Sequence, residues 1–126
     1  MSVKYVVTEK GNPLRPEEPK KWYATAKSTG EVSLRALGKE ITQRCTVNHA
    51  DTLAVLEALT QVLTDKLEDG KIVRFGDFGS FQVGIGSTGA EKEDKFTPSL
   101  IKTKKVAFRP GVGLKEMMNN LKFEKM

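Results

Sequence analysis

Arg74-Phe75-Gly76-Asp77-Phe78-Gly79-Ser80-Phe81 is the stretch that decides the fold, and Val106-Ala107-Phe108-Arg109-Pro110-Gly111 answers it later in the chain. Phenylalanines three residues apart, with glycines between them, describe a chain that turns sharply while keeping its rings inward. Glycine supplies backbone angles that other residues resist. Each ring removes on the order of 150–250 Å² from water when it is covered. Phe78, Phe81 and Phe108 are therefore read as core. Such rings can also stack on nucleic-acid bases, but core packing suits a glycine-bounded corner better.

Outward from this corner, Lys71 to Phe75 reads as a strand, Gly76-Asp77 as a tight turn, and Phe78 to Ile85 as a second strand. Lys104 to Phe108 supplies a third. The polar, glycine-containing segment between them, residues 84–97, is expected to project. Upstream, Ser33 can cap a helix in which Leu34, Leu37 and Ile41 share a face. A second helix starts at Asn48, with Asp51 three residues on, and carries Leu53, Leu56, Leu59, Leu63 and Leu67 towards a stop at Gly70. This second helix is acidic and leucine-rich, so it is read as core and dimer surface rather than as a helix that enters a groove. Leu114, Met117, Met118 and Leu121 mark a short last helix.

Before the helices, residues 3–9 and 21–27 are β-branched and aromatic and read as strands. The turn chemistry of Gly11-Asn12-Pro13 separates them. The expected fold class is α+β: N-terminal strands, a helical hairpin, a three-stranded antiparallel sheet with a β-ribbon arm, and a C-terminal helix. Residues 1–30 form a β extension and residues 31–126 the main domain. So many apolar stripes in so few layers predict an intertwined homodimer, because one small chain cannot cover them all.

The 126 residues are 38% hydrophobic and 29% charged, which argues for a folded domain and against disorder. No apolar run approaches the roughly 18–20 residues of a membrane span, and the start lacks the features of a signal peptide. A single cysteine, Cys45, excludes an intrachain disulfide and suits a reducing cytoplasm. The net charge of +5 is uneven: residues 1–70 carry ten basic and ten acidic side chains, residues 71–126 eleven and six. A polyanion-binding surface and a solvated basic face fit that asymmetry equally.

Candidate enzyme chemistry is thin. Gly84-Ile85-Gly86-Ser87-Thr88-Gly89 has dinucleotide-loop spacing but no strand–helix–strand context. His49 is the lone histidine, so no His/Cys metal site can be built. Glu91, Glu93 and Asp94 form a solvated charged tip rather than an acid–base pair. The sequence calls for no cofactor, no metal and no catalysis. The basic set Arg74, Lys102, Lys104, Lys105, Arg109 and Lys115 is better organised. With Phe108 inward, alternation turns Lys105 and Arg109 outward together, opposite Lys104. Gly79 and Ser80, at the corner, offer an amide and a hydroxyl to phosphate oxygens.

The segment from Asp69-Gly70-Lys71 through the Phe-Gly-Asp-Phe-Gly-Ser-Phe element, then Phe108-Arg109-Pro110-Gly111 and Leu114-Lys115, resembles the bacterial histone-like HU/IHF family over roughly residues 32–121. The resemblance implies an intertwined homodimer with Phe78, Phe81 and Phe108 in its core. It also implies two arms that embrace and bend duplex DNA, and phosphate contacts at Gly79, Ser80, Arg109 and Lys115. The expected role is architectural and largely sequence-independent, in the cytoplasmic nucleoid, with DNA and a second copy as partners and no membrane. Three departures stand out. The tip Gly89–Lys95 has no wedging proline and a local charge of −1, Val112 replaces a lysine, and the first 30 residues resemble a longer HU-related subgroup of Bacteroidetes-type bacteria. A protein–protein scaffold of the same fold, with weak or lost DNA binding, is the alternative.

Overall fold

The computed structural model describes residues 1–126, and the chain divides into two compact units. Met1–Ser33 and Met117–Met126 make one unit; Leu34–Glu116 makes the other.

The first unit is a three-stranded sheet. β1 (Val3–Lys10) lies between β2 (Lys21–Lys27), which is antiparallel, and β6 (Phe123–Lys125), which is parallel. The chain reverses between β1 and β2 where Asn12 accepts from the Leu14 amide at 2.9 Å and its carbonyl accepts from the Arg15 amide at 3.0 Å. Strand alternation gives this sheet two unlike faces. Val3, Tyr5, Ala24, Ala26 and Phe123 line an open apolar cleft of about 450 Å³ on one. The lysine pairs Lys4–Lys27 and Lys10–Lys21 stand in register on the other. The sequence reading missed β6, three residues beyond the expected last helix. The Val3 amide donates to Lys122 O at 2.8 Å and the Met126 amide to Tyr5 O at 2.9 Å, fixing its register.

The second unit holds a helical hairpin and a sheet. In α1 (Leu34–Arg44) Gly38 is buried, and a Cβ there would come within 2.9 Å of Leu53 Cδ2 in α2 (His49–Glu68). Hydrogen at this position is what lets the helices approach so closely. Asn48 caps α2: its Oδ1 accepts from the Asp51 amide at 2.9 Å, while its Nδ2 donates to the Asp51 carboxylate at 3.0 Å. At the other end Gly70 takes φ +80°, its amide donates to Leu67 O, and the Lys71 amide reaches back to Lys66 O at 3.1 Å. This paired closure satisfies two orphan carbonyls. It also occupies Lys71, so β3 starts at Val73 and not at the expected Lys71.

The sheet is antiparallel in the order β3 (Val73–Phe75), β4 (Gly79–Ser87), β5 (Ile101–Pro110). β3 pairs only with Gly79–Phe81, so beyond Phe81 the β4–β5 pair continues alone as a two-stranded ribbon. Both strands are longer than the sequence reading gave them. Gly84 and Gly86 hide the alternation, and each sits where a Cβ would press on the partner strand, against Lys105 and Thr103. Residues 88–100 close the ribbon through two short 3₁₀ turns, Glu93–Lys95 and Pro98–Leu100, and the Thr88 amide donates to Leu100 O at 2.9 Å. The loop thus runs past the expected tip and contains Phe96 and Pro98. α3 (Val112–Asn119) follows β5.

Apolar coverage is incomplete throughout. No hydrophobic side chain is buried, and the one buried polar side chain is Thr52. The chain exposes 10995 Å², whereas a compact monomer of this length exposes about 6,700 Å² and two separately compact pieces about 8,000 Å². No helix is long and apolar enough to cross a membrane.

Candidate nucleic-acid interface

The corner is built from backbone. Gly76 takes φ +56° at the first central position of the Phe75–Phe78 turn, as type II′ hairpin turns require, and the Phe78 amide closes the turn on Phe75 O at 3.2 Å. The start of α3 is then stitched to it. Phe78 O accepts from the Gly111 amide at 2.9 Å, and Asp77 O accepts from the Gly113 amide at 3.0 Å. Two glycines make this approach possible. A Cβ at Gly111 would collide with Asp77 O, and one at Gly79 would lie 2.5 Å from Arg109 O and 2.6 Å from the Phe108 ring. Gly79 also holds φ +157°, a region L side chains rarely enter. The phenylalanine spacing and the Pro-Gly return are one interlocked structure.

On its inner side the corner gathers the rings. Phe81 and Phe108 pair at 4.9 Å between centroids, Phe78 and Phe108 at 5.6 Å, and Phe75 stands edge-on to Phe78 at 6.0 Å. Even so, Phe78 is 49% and Phe108 39% exposed, so the cluster presents an open apolar face.

On its outer side the corner forms a cleft of about 270 Å³ whose lining includes Arg74, Gly79, Ser80, Arg109 and Lys115. Arg74 and Ser80 are cross-strand partners, as are Ser80 and Arg109, which places all three on one face. Lys115 comes from the first turns of α3, where its amide donates to Gly111 O at 2.9 Å. No carboxylate lines the cleft, and its three cations form no ion pair. Three fixed positive charges around a glycine–serine backbone suit a phosphodiester oxygen.

A second hollow of about 250 Å³ adjoins it along the ribbon, lined by Ser80, Gln82, Gly84, Lys105, Ala107 and Arg109 among others. Here the Lys105 side chain lies across Gly84, 3.1 Å from where a Cβ would be. The eight residues expected to bind DNA are thus not one surface. Arg74, Gly79, Ser80, Arg109 and Lys115 converge in the cleft, and Lys105 extends it along the ribbon. Lys104, paired with Ile85, lies on the opposite face, and Lys102 is the unpaired residue at the register shift between Thr103 and Ile101. Sequence reasoning missed Gln82, although the expected strand Phe78 to Ile85 contains it and alternation puts it on the face of Ser80, and it missed the extra loop residues Phe96 and Pro98.

The chain resembles known proteins as follows. A crystal structure from Bacteroides vulgatus ATCC 8482, described as a "Putative bacterial DNA binding protein", superimposes with a TM-score of 0.70 at 11% identity. The match takes in 99% of this chain and 48% of that one, so this chain spans about half the length of its structural relative. At that identity the likeness is one of fold. No curated protein matches. A family model described as an HU domain fused to a winged helix-turn-helix, Ig or glycine-rich motif matches residues 1–125. With nearly its whole length matched, and with the glycine-locked corner and ribbon in place, the chain belongs to this HU-HIG family.

Proposed function

We propose that the chain is an architectural DNA-binding protein of the nucleoid that acts as a homodimer and grips duplex through phosphates with little base selectivity. The observation that carries the reading is the outer cleft, where Arg74, Arg109 and Lys115 surround Gly79 and Ser80 with no carboxylate among them. The dimer is supported by the open phenylalanine cluster and by a chain with no buried hydrophobic side chain. A second copy packing on Phe78, Phe81 and Phe108 would cover the rings while leaving the outer cleft facing DNA.

Two copies that each place these three cations on phosphates release about six counterions, so log affinity should fall with log salt at a slope of about −5. A salt titration against linear, nicked and pre-bent duplex tests this. A steep slope with preference for the pre-bent form supports an architectural role; a slope near zero sinks it. The acidic loop residues Glu91, Glu93 and Asp94 favour a second reading, a scaffold of the same fold that binds proteins. Charge reversal at Lys105, Arg109 and Lys115 separates the two, because only DNA binding collapses under it.

A further inference from the structure

The lysine face of the N-terminal sheet has an arrangement that folding alone does not explain. Lys4 stands directly opposite Lys27, and Lys10 directly opposite Lys21. Like charges in directly opposed positions destabilise a strand pair. At one end the sheet compensates: Glu124 of β6 accepts from Lys4 Nζ and from Ser2 Oγ. At the other end nothing compensates Lys10 and Lys21, and Lys27, opposite Lys4, takes no part in the Glu124 tie; all three are exposed and form no ion pair. Between the lysine pairs the same face carries the hydroxyls of Thr8, Tyr23 and Thr25, with Thr8 and Tyr23 in register. Lysine ammonium groups spaced by Thr and Tyr hydroxyls are the side chains that contact DNA phosphates. Lys10 lies six residue steps along the strand from Lys4, about 20 Å, which is the rise of roughly six base pairs.

We infer that this face is a second duplex-binding surface, in which Lys10, Lys21 and Lys27 neutralise backbone phosphates independently of the glycine corner. The occupant is duplex DNA, and the inference rests on the DNA-binding function proposed above. Both surfaces belong to one chain, so occupying one raises the effective concentration of duplex at the other wherever a single duplex reaches both.

The test is a salt titration of duplex affinity for the full chain carrying Lys10→Ala, Lys21→Ala and Lys27→Ala. The expected result is a log–log slope shallower by about three per chain and an affinity lower by roughly tenfold or more at ~0.1 M salt. The matching Lys→Arg triple keeps charge and strand structure and should bind like the parent. An unchanged slope in the alanine triple, alongside weakened binding by Arg109→Glu with Lys115→Glu, overturns this surface and leaves the corner standing. A parent chain with no salt-dependent duplex binding overturns both. Alanine variants that lose binding to phosphatidylserine vesicles but keep duplex affinity also overturn it, since the face would then fit an anionic membrane.

Discussion

The glycine corner and the N-terminal sheet both display cations, yet they hold them by opposite means. At the corner, Gly79 and Gly111 pack backbone against backbone, and the Gly111 and Gly113 amides tie α3 to the turn. The cations there ride on a framework with no space for a methyl group. In the N-terminal sheet the lysines ride on a regular ladder, and the strongest tie beyond that ladder is one exposed ion pair at Glu124. A framework of the first kind fixes where a phosphate sits. One of the second kind supplies charge with little positional demand, which suits a surface that tracks a backbone.

The largest effect that can break this comparison is a single methyl group. Gly79 and Gly30 share an unusual backbone, φ +157° and +149°, but only Gly79 is crowded; nothing lies within 4 Å of a Cβ at Gly30. Gly30→Ala should cost about 1–2 kcal/mol, from backbone strain alone. Gly79→Ala adds a collision with Arg109 O and the Phe108 ring and should cost about 3 kcal/mol or more, if the chain folds at all. Urea unfolding of the two variants measures the difference. Equal costs would mean that the corner yields, and that its cleft is no more fixed than the sheet.

Side-chain truncation sharpens the same contrast. Phe108 is 39% exposed and Trp22 65% exposed. If a second copy covers the corner rings, Phe108→Ala should cost about 3–5 kcal/mol, as for a core ring, and the thermal midpoint of the parent should rise with protein concentration. Trp22→Ala on edge strand β2 should cost about 1 kcal/mol or less. A stable monomer at micromolar concentration in sedimentation, with a small Phe108→Ala cost, would leave the rings as an open surface.

The corner was legible in the sequence because its constraints are local: glycines with a required φ, phenylalanines at turn spacing, and a Pro-Gly return. The Asn48 cap and the Gly70 stop were legible for the same reason. What escaped depends on partners distant in sequence. β6 is three residues long and exists as a strand only because β1 offers an edge more than a hundred residues away. The outer end of the ribbon was read too short, to Ile85 on one strand and from Lys104 on the other, because Gly84 and Gly86 carry no alternation signal. Their place in a strand follows from Lys105 and Thr103 opposite them. The basic set was legible in kind but not in grouping. Lys104 and Lys105 are adjacent in sequence and lie on opposite faces of the ribbon.

The smallest expected effect concerns the Glu124 tie. Hydrogen bonds from Lys4 and then Ser2 hold its carboxyl below the ordinary value of 4.5. A carboxyl depressed in the folded state contributes stability above its unfolded value, and that contribution is lost as pH falls through the lower folded value. The group is fully solvated and screened, so the global midpoint should hardly move. The local consequence is measurable because β6 is short and its backbone bonds lie at the end of the sheet. Protection of the Met126 amide, which donates to Tyr5 O, should fall relative to that of the Gly111 amide as pH drops from about 5 to about 3. Taking the ratio at each pH removes the intrinsic pH dependence of exchange. In Glu124→Gln the ratio should start lower and stay flat, and added salt should move the parent towards the variant. The Gly111 bond joins two backbone groups with no titrating partner, so it serves as the internal reference. A ratio equally flat in parent and variant would mean that the ladder alone holds β6, and that Lys4 is as free to meet a phosphate as Lys10, Lys21 and Lys27.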